Sequence, residues 1–180
     1  MVADSTMISV LIDEEMIRER VNQIGQQISI DYAGKDLILL GILKGSIFFL
    51  TDLARAIDLP LTVEFLGVSS YEGGTTSTGQ VRITFDVSRS IQGRHVLVVE
   101  DIVDTGLTMN FLLDTLKARQ PASIKVCTLL EKPSRARVEI PIDYRGFVVE
   151  DVFIVGYGLD YNDRFRNLPY LGELPPGMHP

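Results

Sequence analysis

Residues 96–116 read VLVVEDIVDTGLTMNFLLDTL. Four consecutive apolar β-formers, Val96 to Val99, run straight into Glu100, Asp101 and Asp104, and then into the turn Thr105-Gly106-Leu107-Thr108. An unbroken apolar run of strand length belongs to a strand covered on both faces, which is the condition of a parallel sheet rather than of a half-exposed hairpin. The stretch therefore predicts a buried strand over about His95 to Glu100, a turn, and a helix from about Gly106 to Ala118.

The flanking segments repeat the pattern. DLILLGIL (36–43) is a second apolar run, KGS breaks it, and IFFLTDLARAI (47–57) has helical periodicity. LTVEFLGVSS (61–70) and SIKVCTLL (123–130) supply further strands, and alternation of strands with helices implies a mainly parallel sheet with right-handed crossovers. Ahead of these, Asp13-Glu14-Glu15 precede Met16, Ile17, Val21, Ile24 and Ile28, an amphipathic helix over 13–29 with acidic residues in its first turn. YEGGTTSTGQ (71–80) contains three glycines and four hydroxyl residues with almost nothing apolar. Such a composition offers too little burial to offset ordering, so a mobile loop is expected, returning through strand VRITFDV (81–87) as a long hairpin. The later segment GFVVEDVFIVGYGLDYNDRFRNLPYLGEL has short strand-like pieces and is expected to form a lobe beside the main sheet.

With 180 residues and 46% hydrophobic content the chain can bury a sizeable core, and one domain over 1–180 is expected. A net charge of −7 argues against a general polyanion-binding face, so no nucleic-acid partner is expected. Small phosphorylated ligands stay open, because backbone amides and a metal ion bind phosphate without net positive charge. Cys127 is the lone cysteine and lies in an apolar run, where it reads as a small buried hydrophobe. The N-terminal residues lack the basic and apolar blocks of a leader, and no apolar stretch reaches membrane-spanning length. A cytoplasmic setting without membrane contact is the expectation.

In open parallel sheets ligands bind beyond the carboxyl ends of the strands, where this strand delivers Glu100 and Asp101. A single Asp or Thr before a helix is usually an N-cap. Two adjacent carboxylates after a buried run are harder to explain structurally, because they repel unless a cation or hydroxyls occupy the site. Unpaired amides at the helix start, with Gly106 allowing close approach and Thr105 and Thr108 adding hydroxyls, suit a monophosphate. Acidic groups upstream suit vicinal hydroxyls, so the motif reads as a clamp for ribose 5-phosphate.

These residues resemble the phosphoribosyl pyrophosphate motif of type I phosphoribosyltransferases. LKGS (43–46), SSYEGGTTSTGQVRI (69–83) and VGYGLDYNDRFRNLPYLGEL (155–174) are similar to segments of the hypoxanthine-guanine branch, so the resemblance spans about 37–174 in the family's order. It implies a type I phosphoribosyltransferase fold of the α/β class, with a central mainly parallel sheet flanked by helices. A small hood lobe from the N- and C-terminal segments and a flexible loop about 70–80 complete it. It also implies a purine salvage enzyme that transfers 5-phosphoribosyl from phosphoribosyl pyrophosphate (PRPP) to N9 of hypoxanthine, and of guanine, with Mg²⁺ as cofactor and a homodimer or homotetramer as assembly.

Residue by residue, the resemblance implies Glu100 and Asp101 at the ribose hydroxyls and metal, with Asp160 as a second metal carboxylate. Asp104 would exchange the proton at purine N7, and Thr105, Gly106, Leu107 and Thr108 would hold the 5-phosphate. Lys44 and Gly45 would meet pyrophosphate through a peptide that can be cis in the family, and Arg166, keeping the family's spacing from Asp160, would reach the same group. Lys132 would donate to O6 of the purine, Phe153 would stack on it and Ile154 would contact its edge. Ser70 and Tyr71 would open a lid. Val152 departs from relatives that carry a lysine there, which bears on the choice among hypoxanthine, guanine and xanthine. The competing readings are a regulatory relative binding nucleotide or RNA, which needs a basic face, and a phosphate-binding module without catalysis, which leaves Asp104 and Lys132 unexplained.

Overall fold

A computed structural model of the chain describes residues 8–70, 81–175 and 177. Its main sheet has six strands: β2 (Leu37–Leu43), β3 (Leu61–Ser70), β4 (Val81–Phe85), β5 (His95–Val103), β6 (Ser123–Glu131) and β7 (Tyr144–Val148). They lie in the order β4-β3-β2-β5-β6-β7, parallel throughout except for the antiparallel β3–β4 pair. The central, mainly parallel sheet expected from the motifs is thus present, with β3 and β4 paired antiparallel.

Helices α1 (Glu14–Asp31) and α2 (Ile47–Ala56) pack on one face of this sheet and α3 (Leu107–Lys117) on the other. Side-chain alternation along β5 explains the two-sided core. Leu97 and Val99 join the cluster with Ile17, Ile24 and Phe49, while Val96 and Val98 join the one with Met109, Leu112 and Leu116. Each such side chain, fully withdrawn from water, contributes about 1.5–3 kcal/mol. The acidic start of α1 resolves into a cap: Asp13 Oδ1 accepts from Met16 N at 2.8 Å, and the helix proper begins at Glu14.

Three expectations require correction. Strand β5 runs to Val103 instead of ending near Glu100, because β6 continues to pair with it as far as Val103↔Glu131 after β2 has left at Gly41↔Val99. The segment beginning at Gly146 does not lie wholly beside the sheet. Tyr144–Val148 is its parallel edge strand, with Leu130 opposite Phe147. The cis peptide is Leu43–Lys44, one residue before the Lys44–Gly45 bond, a position that the composition of the turn does not specify.

The remaining strands, β1 (Ser9–Ile12), β8 (Ile154–Val155) and β9 (Leu171–Glu173), form a separate antiparallel sheet in the order β1-β9-β8. Ile8, Val155 and Leu174 fill its small core. The loop predicted over 71–80 lies outside the described residues. Among the described residues no helix is long and apolar enough to cross a membrane.

Candidate active site

Strand order decides where the chemistry gathers. From β2 the chain moves outward to β3, then returns to place β5 on the other side of β2, so the order reverses between β2 and β5. In doubly wound sheets that reversal opens a crevice at the carboxyl ends. The residues that leave the two strands there are Lys44 and Gly45 on one side and Glu100 to Asp104 on the other.

Glu100 and Asp101 are adjacent in sequence yet serve different cavities. Glu100 lines a cavity of about 90 Å³ with Asp104, Thr105, Gly106 and Thr108 at the start of α3. Asp101 lines a second, of about 230 Å³, with Lys132, Phe153, Ile154 and Asp160. Ile102 belongs to both and forms the wall between them. The two carboxyls nonetheless stay close: burial first, then the Asp101 charge and a hydrogen bond to Asp101, hold the Glu100 carboxyl well above its ordinary range.

The turn after Asp104 is fixed from behind. Gly106 has φ +78°, and a Cβ there would lie 2.4 Å from the Val138 carbonyl oxygen, so no side chain fits. Thr105 O accepts from Arg137 N and Val138 N at 3.0 and 3.2 Å, which binds the 137–138 segment to the turn. Thr105 Oγ1 also accepts weakly from Leu107 N at 3.4 Å, so the Leu107 amide already has a distant partner, and Leu107 itself faces solvent.

Gly45 is constrained by a side chain rather than by backbone. A Cβ there would sit 1.6 Å from Asp101 Oδ2, and one at Gly158, which has φ +106°, would sit 1.9 Å from the Gly45 carbonyl oxygen. Three distant segments meet at these two glycines. Lys44 Nζ is 3.1 Å from Asp163 Oδ1, and the same oxygen is 3.3 Å from Arg166 Nη2. Arg166 is further anchored by Nη1 to Gly158 O at 2.6 Å and by Nη2 to Asp160 Oδ1 at 2.5 Å. The two cations are thereby brought together at the rim beside Gly45.

Lys132, buried at the end of β6, donates from Nζ to Val152 O at 2.6 Å. Burial lowers its ammonium pKa, opposed by the charges of Asp104 and Asp151. Phe153 meets Tyr161 edge-on with ring centres 5.6 Å apart. Ser70 ends β3, and Tyr71 lies outside the described residues. A larger cleft of about 510 Å³ between α1 and α2, near Phe48 and Tyr157, contains none of the candidate site residues.

Comparison with known proteins identifies the family. The family model described as "Phosphoribosyl transferase domain" matches residues 11–162. The hypoxanthine-guanine phosphoribosyltransferase of Mycobacterium avium is 49% identical over 177 residues, covering 95% of this chain and 87% of that protein. The chain belongs to the phosphoribosyl transferase family, in its hypoxanthine-guanine branch. The crystal structure of a hypoxanthine phosphoribosyltransferase from Staphylococcus aureus superposes on this chain with a TM-score of 0.93 at 44% identity, covering 97% of this chain and 96% of that one. A bifunctional protein TilS/HprT of Listeria monocytogenes is 46% identical over 170 residues, 94% of this chain, of which the chain spans only 26% of the length.

Sequence reasoning overlooked four residues that the structure places among the candidate site residues. Gly158 and Asp163 lie inside the quoted YGLDYNDRF segment, where glycine beside aromatics was a usable sign of close backbone approach. Arg135 and Asp151 pair with Asp104 and Lys132 and had no such sign, since loop charges carry no periodicity.

Proposed function

We propose that the protein transfers the 5-phosphoribosyl group of PRPP to N9 of hypoxanthine, and of guanine, releasing pyrophosphate and forming the nucleoside monophosphate in purine salvage. The observation that carries this reading is the pair of cavities sharing Ile102. A phosphate-sized space at the start of α3 adjoins a larger one bearing a buried lysine and an aromatic ring, with carboxylates lining each. A ribose bridging the two would place its 5-phosphate at the Thr105–Thr108 amides and its C1 toward the base.

The residue chemistry follows the bonds. The C1–oxygen bond to pyrophosphate breaks, the N9 lone pair forms the new bond to C1, and the purine then sheds the proton carried on N7. Asp104, which lines the smaller cavity, would take that proton. The negative charge of Asp101, joined by that of Glu100 once a cation offsets the repulsion that raises its pKa, would favour the cationic sugar formed as pyrophosphate leaves. Lys132 has donors only, which fits a 6-oxo group and not a 6-amino group. Phe153 offers a ring face for stacking and Ile154 a backbone edge. Lys44, Gly45 and Arg166 would receive the pyrophosphate, the guanidinium matching phosphate oxygens. Ser70 and Tyr71 would begin a lid that excludes water from the sugar cation.

Metal binding fits the donor set. Among the described residues no group of three or more His, Cys, Asp or Glu forms a preformed cage. Mg²⁺ does not need one, since it is commonly held by one or two carboxylates together with substrate phosphates and water. Asp101 and Asp160 line the same cavity, and a cation there would relieve the repulsion by which Asp101 raises the Glu100 pKa. Bound there, Mg²⁺ would neutralise charge on the departing pyrophosphate. A homodimer or homotetramer is part of the proposal.

The test is an assay with PRPP and Mg²⁺ against hypoxanthine, guanine, xanthine and adenine. Monophosphate should form from hypoxanthine and guanine and hardly at all from adenine. No product from any 6-oxopurine would sink the reading.

A further inference from the structure

Arg135 has no part in the reaction as described, yet its guanidinium lies between the two groups assigned to the purine. Its Nε donates to Asp104 Oδ1 at 2.7 Å, and its Nη1 donates to Asp151 Oδ1 at 3.2 Å. Asp151 Oδ1 is in turn 3.9 Å from Lys132 Nζ. The chain Asp104–Arg135–Asp151–Lys132 thus links the proposed acid/base to the proposed O6 donor.

The backbone presents Arg135 for this contact. Pro133–Arg135 is a single 3-10 turn that starts at Lys132, with Arg135 N donating to Lys132 O at 3.1 Å. Two residues later the chain is tied to Thr105 O by the amides of Arg137 and Val138. Arg135 therefore sits on a strap fixed at both ends, one end at Lys132 and the other at the turn that follows Asp104.

Stability does not account for the arrangement. The Arg135 and Asp104 side chains are 45% and 38% exposed, and exposed ion pairs are worth about 0–1 kcal/mol. Geometry does account for it. A carboxylate on a short side chain rotates about two bonds, and a planar guanidinium held on two carboxylates restricts one of them. The bond engages Oδ1, while Oδ2 takes no hydrogen bond from the described residues.

We propose that Arg135 is a positioning residue that fixes the Asp104 carboxylate by Oδ1, so that Oδ2 is aimed at the purine N7 proton in register with Lys132 at O6. This rests on the reading of Asp104 as the group that takes that proton. A misaligned catalytic group loses roughly 10- to 100-fold in rate, and that is the loss expected in kcat for Arg135→Met, with KM for PRPP little changed. Arg135→Lys, which can reach one carboxylate but not hold both, should recover part of it.

The experiment measures kcat and both KM values for Arg135→Met, Arg135→Lys, Asp104→Asn and the Arg135→Met/Asp104→Asn pair, with thermal melting as a check of folding. If Arg135 acts through Asp104, the double variant loses no more than Asp104→Asn alone. Multiplying losses, or an Arg135→Met enzyme of unaltered kcat beside an impaired Asp104→Asn, overturns the role of Arg135 and leaves that of Asp104 standing. An Asp104→Asn enzyme of unaltered kcat removes the premise, and the inference with it. Should the methionine variant fail to fold, Arg135→Gln, which retains neutral donors, gives the same comparison.

Discussion

Burial makes the charge of Lys132 sensitive to pH. Burial places its pKa below the ordinary lysine value of 10.5, so it sheds its proton before a free lysine does as pH rises. The KM for hypoxanthine should therefore climb on the alkaline side, and Lys132→Arg, whose cation does not titrate there, should lack that part of the rise. Stability runs the other way. Between the folded-state pKa and 10.5 the unfolded chain binds more protons, so this group makes folding more favourable as pH rises through that window. Asp104→Asn should lower kcat about 10²- to 10⁴-fold with much less effect on PRPP binding, as measured by KM and by direct titration. Equal losses in both would make Asp104 a binding residue instead. At this scale the sequence was legible where residue type and place conflicted: Glu100, Asp101 and Asp104 stand out because carboxylates rarely end a buried strand. Arg135, Asp151 and Asp163 were illegible because their partners are fixed by the path of loops, which no local pattern encodes.

Elements were easier to read than their ends. The apolar runs of β2 and β5 and the stripe of α1 each give their period directly, since both faces of the strands and one face of the helix are buried. The end of β5 was missed because charged residues look like a terminus, whereas pairing with β6 carries the strand through them. The start of α1 depends on one oxygen. Asp13→Ala, which removes the acceptor for Met16 N, should cost about 1 kcal/mol, seen as a lower urea midpoint with unchanged slope. Gly25 shows a limit of periodicity. It lies mid-helix, where a Cβ would come 2.6 Å from Ala56 Cβ, so α1 and α2 touch through a residue that helix propensity alone would disfavour.

At the scale of the whole molecule, a net charge of −7 coexists with a proposed ligand bearing several phosphates. Local amides, Lys44, Arg166 and a divalent cation must then supply the attraction that the overall field does not. Thermal melting should show this. PRPP with Mg²⁺ should stabilise the protein, by about 2.7 kcal/mol at a ligand concentration one hundred times Kd, and PRPP with a chelator far less. Comparable stabilisation in chelator would remove the metal from the binding step. The fold class was legible because alternation of strand and helix leaves few topologies, but the junction of residues 45, 101 and 158 was not, since it joins segments more than fifty residues apart. That junction bears on drug resistance. An inhibitor gripping the main chain at Gly45 and Gly158 touches positions where any added side chain collides with Asp101 or with the opposite carbonyl. Escape by substitution at the point of contact would disable the target, so resistant lineages should carry their changes elsewhere.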